Sequence, residues 1–347
     1  MSKGSHTPPL RSLRHKKRKN KPIPLNDLFE ALGKGEPSAL ARAITIVEST
    51  KPEDIETAQR LIALCLKVNR TSIRIGITGV PGVGKSTFIE TFGSHLTTMG
   101  KRVAVLAVDP SSKMGKGSIL GDKTRMEALA KNPAAFIRPS PSKDTQGGVT
   151  QSTRESILLC ETAGFEIILV ETVGVGQSET LVHSMVDFFL LLQLAGAGDE
   201  LQGLKRGIME MADAVVINKA DGNNMAAVQN AITEFRNALH LYPPKANQWS
   251  PKVMQCSALY NTGIDALWEL IETFMEHTKA NGHFERNRQE QQKNWFLQTV
   301  ERELGLRFFN QPLVQQQLEH YLEQVAANRI APVAAALELL RLDQTTN

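Results

Sequence analysis

From about residue 72 onward, short continuous apolar runs alternate with stretches of helical periodicity. The runs fall at 73–77, 103–108, 167–170, 188–194, 214–217 and 253–256. Short apolar runs bounded by polar segments fit strands buried on both faces. Such strands, separated by helices, predict an α/β fold with a mainly parallel sheet covered by helices on both faces. Upstream, Leu25, Leu28 and Leu32, then Leu40, Ile44 and Val47, recur at helical spacing. Ile55, Ala58, Leu61, Ile62 and Leu64 follow a helix start at Asp54. Two or three packed helices are expected there. Beyond Gly263, Ile264, Leu267, Leu270, Ile271 and Phe274 form another helical face. Residues 284–308 are charged and Gln-rich, with Trp295, Phe296, Val300 and Leu304 on one stripe, and 312–342 reads as further helix. The expected organisation is a tail over 1–22, an N-terminal helical extension over 23–70, an α/β domain over 71–280 and a C-terminal helical arm over 281–347.

In a parallel sheet, ligands sit beyond the C-terminal ends of the strands, so the residues after each run carry the chemistry. The first run leads into Gly79-Val80-Pro81-Gly82-Val83-Gly84-Lys85-Ser86-Thr87. Gly79, Gly84, Lys85 and Ser86 match the phosphate-loop spacing G-x-x-x-x-G-K-[ST]. Glycines let the backbone turn its N–H groups inward around a phosphate chain, and the helix N-terminus behind them adds partial positive charge. Lys85 is expected to reach the β- and γ-phosphates, and the Ser86 hydroxyl to bind Mg²⁺. The fold is therefore expected to be a P-loop NTPase. Asp109 follows the second run and Glu171 the third. Asn218-Lys219-Ala220-Asp221 follows the fifth and Ser257-Ala258-Leu259 the sixth. Asn-Lys-x-Asp selects guanine: the Asp221 carboxylate accepts hydrogen bonds from N1–H and the exocyclic amine, which adenine cannot supply. Asn218 and Lys219 brace that pocket, and Ser257-Ala258 fits a backbone contact to the guanine O6. The expected ligand is GTP or GDP.

Composition changes this picture little. The chain of 347 residues is 41% hydrophobic and 22% charged, ordinary for a globular protein. No apolar run approaches the ~20 residues of a membrane span. Cys65, Cys160 and Cys256 are far apart and form no C-x-x-C pair. That spacing argues against a disulfide framework or thiolate metal site. It fits a reducing compartment, the cytoplasm, with the mitochondrial matrix as the less favoured alternative. Charge matters more. The net +4 arises because residues 1–22 carry eight Lys/Arg and no acid, leaving the rest of the chain at −4. A segment so dense in like charge is expected to be a solvated, disordered tail. The folded body is not expected to bind nucleic acid.

Several segments together resemble one family. Asp109-Pro-Ser-Ser, Gly117-Ser-Ile-Leu-Gly-Asp122-Lys-Thr-Arg125-Met, Glu171-Thr-Val-Gly-Val-Gly-Gln177-Ser-Glu179 and Gly196-Ala-Gly-Asp199-Glu-Leu-Gln-Gly-Leu-Lys205 look like the methylmalonyl-CoA mutase-associated GTPases, the MeaB/ArgK-type group within the SIMIBI class. The resemblance runs from about 27 to 340. It implies a parallel-sheet G domain, an N-terminal helical extension and a C-terminal dimerisation arm, hence a homodimer. It also implies a G-protein chaperone that gates adenosylcobalamin delivery to a cobalamin-dependent acyl-CoA mutase and protects it. By the same resemblance, Asp109, Asp122 and Glu171 are Mg²⁺-linked and switch carboxylates. Residues 109–125 correspond to switch I and 171–179 to switch II. Gln177 is a candidate for orienting water. Lys205 lies in a third mobile segment and is a candidate to reach the nucleotide or the partner. Ser112-Lys-Met-Gly-Lys116 and Lys143-Asp-Thr-Gln-Gly-Gly148 depart from the family pattern, which touches partner contacts more than nucleotide contacts. No Asp-x-His-x-x-Gly motif surrounds any histidine, so cobalamin is expected on the client and not on this chain. The alternatives are a GTPase for nickel insertion, a kinase of a basic amino-acid transport system, and a module that uses GTP only as a structural ligand.

Overall fold

The apolar runs assemble into one parallel sheet of seven strands: β1 (Ile73–Gly79), β2 (Val103–Val108), β3 (Ala135–Arg138), β4 (Ile167–Thr172), β5 (Phe188–Leu194), β6 (Ala214–Asn218) and β7 (Lys252–Gln255). The order across the sheet is β3-β2-β4-β1-β5-β6-β7. The computed structural model describes residues 24–108, 126–139, 146–172, 178–196 and 206–342; the basic tail lies outside them. β1 is central. Its Ile75 sits level with Leu169 of β4 on one side and Phe188 of β5 on the other. The apolar pattern foretells six of the strands. The seventh, β3, is a four-residue edge strand with every residue only half-buried. An edge strand buries one flank and needs no continuous apolar run, so the pattern is silent there.

Successive strand residues point to opposite faces, and each face has its own core. Ile75, Ile77, Val105, Phe188, Leu190 and Val216 pack with α4 (Lys85–Thr98) and α10 (Ile264–Ala280). Leu106, Val170, Phe189, Leu191 and Ile217 face the other way, toward α6 (Gln146–Thr162) and α9 (Met225–Leu239). Short helices α5 (Glu127–Lys131), α7 (Ser178–His183) and α8 (Arg206–Met211) complete the domain. The N-terminal helices α1 (Leu25–Gly33), α2 (Pro37–Val47) and α3 (Pro52–Cys65) form a further layer. Their Leu28, Leu32, Leu40, Ile44 and Leu61 join the same cluster as Ile157 and Phe165, so the extension is packed on the domain.

Three helices follow: α11 (His283–Phe309), α12 (Pro312–Ala326) and α13 (Pro332–Arg341). At 1.5 Å per residue α11 is about 40 Å long, and none of its residues is buried. Its Phe296, Val300 and Leu304 are spaced four apart on one exposed stripe. No helix among the described residues is long and apolar enough to cross a membrane.

Candidate functional site

β1 ends at Gly79, and α4 begins at Lys85; residues 80–84 turn between them at the C-terminal edge of the sheet. Glycine is required at both ends of the turn. A Cβ on Gly79 would lie 2.5 Å from the Leu192 carbonyl oxygen, and Gly84 is left-handed, at φ +92. A side chain is strained in that region. Lys85 opens α4, and its Nζ donates to the Gly79 carbonyl at 2.9 Å, so the ammonium lies back across the loop. Burial draws the Lys85 pKa below the ordinary lysine value, while the carboxylates of Glu171 and Glu179 pull it up. Both glutamates are buried. Ser86 is half-buried and Thr87 exposed in the first turn of α4.

The second cluster grows from the end of β6. Asn218 is buried and uses both ends of its amide. Its Nδ2 donates to the Val83 carbonyl at 2.9 Å. Its Oδ1 accepts from the Ala258 N–H at 3.2 Å and from the Cys256 thiol at 3.4 Å. Asn218 thus ties the phosphate loop to the segment after β7. Lys219 takes a left-handed backbone, φ 58, and its Nζ donates to the Gly82 carbonyl at 2.9 Å. The Asn224 amide holds the Lys219 carbonyl at 2.7 Å. Asp221 receives the Ser257 hydroxyl on Oδ2. The Ala258 carbonyl accepts from the Thr91 hydroxyl of α4 at 2.7 Å. Leu259, by contrast, is 72% exposed, and its side chain lines a shallow groove with Thr87 and Thr91.

The loops after β1, β6 and β7 therefore meet at one sheet edge, with Glu171 near the end of β4 beside them. Asp109, Asp122, Gln177 and Lys205 lie outside the described residues. Two features escape sequence reading. The Thr172 hydroxyl donates to the Thr78 hydroxyl at 2.9 Å, joining β4 to β1 below the loop. Glu179, the last residue of the segment 171–179 and near the start of α7, turns inward and is 2% exposed; its place in that segment is visible in the chain, its burial is not. A cavity of about 690 Å³ also opens at the opposite edge, among His183, Asp213, Lys245 and Trp249. It lies beyond the N-terminal strand ends, away from the phosphate loop.

Comparison with known proteins agrees with this arrangement. The chain is 46% identical over 323 residues to a probable GTPase of Mycobacterium tuberculosis, spanning 93% of this chain and 96% of the relative. It is 44% identical over 325 residues to the GTPase ArgK of Escherichia coli, spanning 92% and 97%. It is 44% identical over 324 residues to the mitochondrial methylmalonic aciduria type A homolog of Mus musculus, spanning 90% and 78%. A crystal structure described as LAO/AO transport system kinase superposes with a TM-score of 0.75 at 38% identity, covering 93% of this chain and all of that one. The family model for the methylmalonyl-CoA mutase-associated GTPase MeaB matches residues 40–312, and with that match and relatives of 44–46% identity over more than nine-tenths of its length, the chain belongs to that family of P-loop GTPases.

Proposed function

We propose that this protein is a Mg²⁺-dependent GTPase switch acting as a G-protein chaperone. It gates adenosylcobalamin delivery to a cobalamin-dependent acyl-CoA mutase of the methylmalonyl-CoA mutase type, and protects that enzyme. The observation that carries the GTP switch is the bracing of the phosphate loop by its own base-recognition residues, through Asn218 to Val83 and Lys219 to Gly82. The client assignment is supported by the family's description and by the name of the mouse relative.

In this reading GTP fills the loop at 79–87, and its guanine sits between Lys219, Asp221 and the Ser257-Ala258-Leu259 segment. Lys85 leaves the Gly79 carbonyl for the β- and γ-phosphates, where their negative charge favours its protonated form. Water attacks the γ-phosphate, and catalysis consists of positioning and charge neutralisation. Gln177 orients the water, and Lys205 reaches the nucleotide or the client. The Ser86 hydroxyl and the Glu171 carboxylate offer hard oxygen donors of the kind that suits Mg²⁺; with Asp109 and Asp122 they would hold it, directly or through water. Bound there, the ion supplies charge neutralisation on the phosphates. Intrinsic turnover is expected to be slow and raised by the client. The protein works as a homodimer through the exposed stripe of α11.

The test is GTP hydrolysis by the purified protein with and without an acyl-CoA mutase from the same cell, with Lys85→Ala in parallel and ATP as competitor. Turnover that rises with the mutase, and that Lys85→Ala lowers by about 10² or more, is the expected outcome. Turnover indifferent to every such mutase sinks the client assignment. A second reading rests on the likeness to the protein described as a transport system kinase. It requires transfer of the γ-phosphate to a protein, so label appearing in protein and not in free phosphate would favour it.

A further inference from the structure

At the foot of the sheet, a cleft between α6, the turn after α7 and α11 holds more positive charge than its carboxylates balance. Arg70, Arg74, Arg154 and Arg288 line it. Glu161 answers Arg74, whose Nε and Nη2 donate to its two oxygens at 3.0 Å each; the Ser72 hydroxyl donates to it at 2.7 Å. Asp187 answers Arg288, at 2.9 and 2.8 Å, and also accepts the Arg74 backbone N–H at 2.8 Å. Those two carboxylates are then occupied. Arg70 donates to carbonyls, Thr162 at 2.7 Å and Gly33 at 3.3 Å. Arg154 donates to the Gln298 Oε1 at 2.9 Å and the Ser184 hydroxyl at 2.8 Å, both neutral oxygens.

Arg154 is the anomaly. It is 7% exposed. It makes no ion pair among the described residues, and its Nε has no hydrogen-bond partner; Gln291 Oε1, in the same cleft, has none either. Burial pulls its pKa below the ordinary arginine value, and no carboxylate among the described residues offsets that pull. A buried charge is normally paired or bound to something that neutralises it. The cleft measures about 210 Å³, less than the ~300 Å³ of pockets for drug-sized ligands, so its occupant is small. It is also remote from the phosphate loop. Arg74 stands near the start of β1 and Gly79 at its end, about 17 Å apart at 3.3 Å per residue.

We infer that this cleft is an oxyanion-binding site, in which the Arg154 guanidinium, flanked by Arg70 and Arg288, takes the phosphate or carboxylate group of a small molecule as its missing counter-charge. Planar guanidinium forks suit both groups. Leu66, Leu158 and Trp295 supply an apolar wall for whatever body carries the anion. The bound group would touch α6 and α11 together, fastening the arm to the domain.

The experiment uses full-length protein loaded with Mg²⁺ and a non-hydrolysable GTP analogue, so that the phosphate loop is filled. Inorganic phosphate and citrate are titrated separately by calorimetry, against chloride at matched ionic strength. The expected result is saturable binding of one anion per chain, and the anion that binds identifies the headgroup. Arg154→Gln weakens it at least about tenfold, in line with loss of a charge-assisted contact. Arg154→Lys weakens it less, since it keeps the charge and loses the fork. Arg70→Gln, at the exposed rim, weakens it severalfold, and because it also loses the hydrogen bonds to the Thr162 and Gly33 carbonyls, a single cooperative thermal melt is required of the unliganded variant to show that it is folded. If Arg154→Gln does not fold, the wild-type isotherm and Arg70→Gln decide. No saturable binding of either anion by the wild type, or affinities that Arg70→Gln and any folded Arg154 variant leave within twofold, overturns the inference.

Discussion

Replacing Asp221 with Asn removes one charge and almost no volume, yet it should exchange the nucleotide this protein prefers. The Ser257 hydroxyl holds Oδ2 of Asp221, and in the proposed reading Oδ1 is the oxygen that meets the base. In Asp221→Asn the amide oxygen keeps the Ser257 contact, and the NH₂ group then turns toward the guanine N1–H and amine, donor against donor. Two charge-assisted hydrogen bonds are lost, each worth about 1.5–3 kcal/mol. Asp221 is only half-buried, so the lower end applies, about 3 kcal/mol in all. At 1.4 kcal/mol per decade this is a loss of more than about 100-fold in GDP affinity. Xanthosine diphosphate carries a carbonyl where guanine carries the amine, so it accepts from the new amide and should bind the variant better than GDP does. Competition between the two diphosphates for a fluorescent nucleotide measures both affinities. The phosphate loop is untouched, so a general loss of binding to both is not expected. GDP affinity within about threefold of the wild type would refute the placing of the base against Asp221.

Other expectations follow from packing and burial. Gly76→Ala puts a Cβ within 3.0 Å of Phe189, Val182 and Val186; urea unfolding should show a loss of about 1–3 kcal/mol from overpacking. Burial pushes the Cys256 thiol up to about 12 and raises those of Cys65 and Cys160. A raised thiol pKa means less thiolate, the reactive form, so a disulfide reagent at pH 8 should label no cysteine in the native protein and all three after denaturation. Rapid native labelling would contradict the burial. Phe296→Glu with Leu304→Glu places charges on the exposed stripe of α11; sedimentation should show a dimer becoming a monomer, and a wild type that is monomeric at micromolar concentration would remove the dimer reading.

Most of the candidate nucleotide site is legible in the chain alone. Strand ends and loop motifs are local: a glycine that must leave room for the Leu192 carbonyl, a lysine at the start of a helix, and an Asn-Lys-x-Asp after a buried strand all leave spaced residues in the chain. The alternation of apolar runs and helices likewise determined a parallel sheet with two covered faces, because each strand must bury both of its sides. The strand order and edge strand β3 were beyond it, since half-buried edge residues need no apolar run. So was the double use of the Asn218 amide, because Val83 and Ala258 stand 135 and 40 residues away in sequence. The inward Glu179, the packing of α1 to α3 onto α6, and the arginines gathered around Arg154 are also decided by tertiary structure alone. Their charges and apolar faces are visible in the chain, but whether a charge is buried, and what lies opposite it, depends on which distant segments fold against it. The sequence by itself determined the chemistry carried at each strand end; only the fold decided which of those groups meet, and which buried charge has no counter-charge among the described residues.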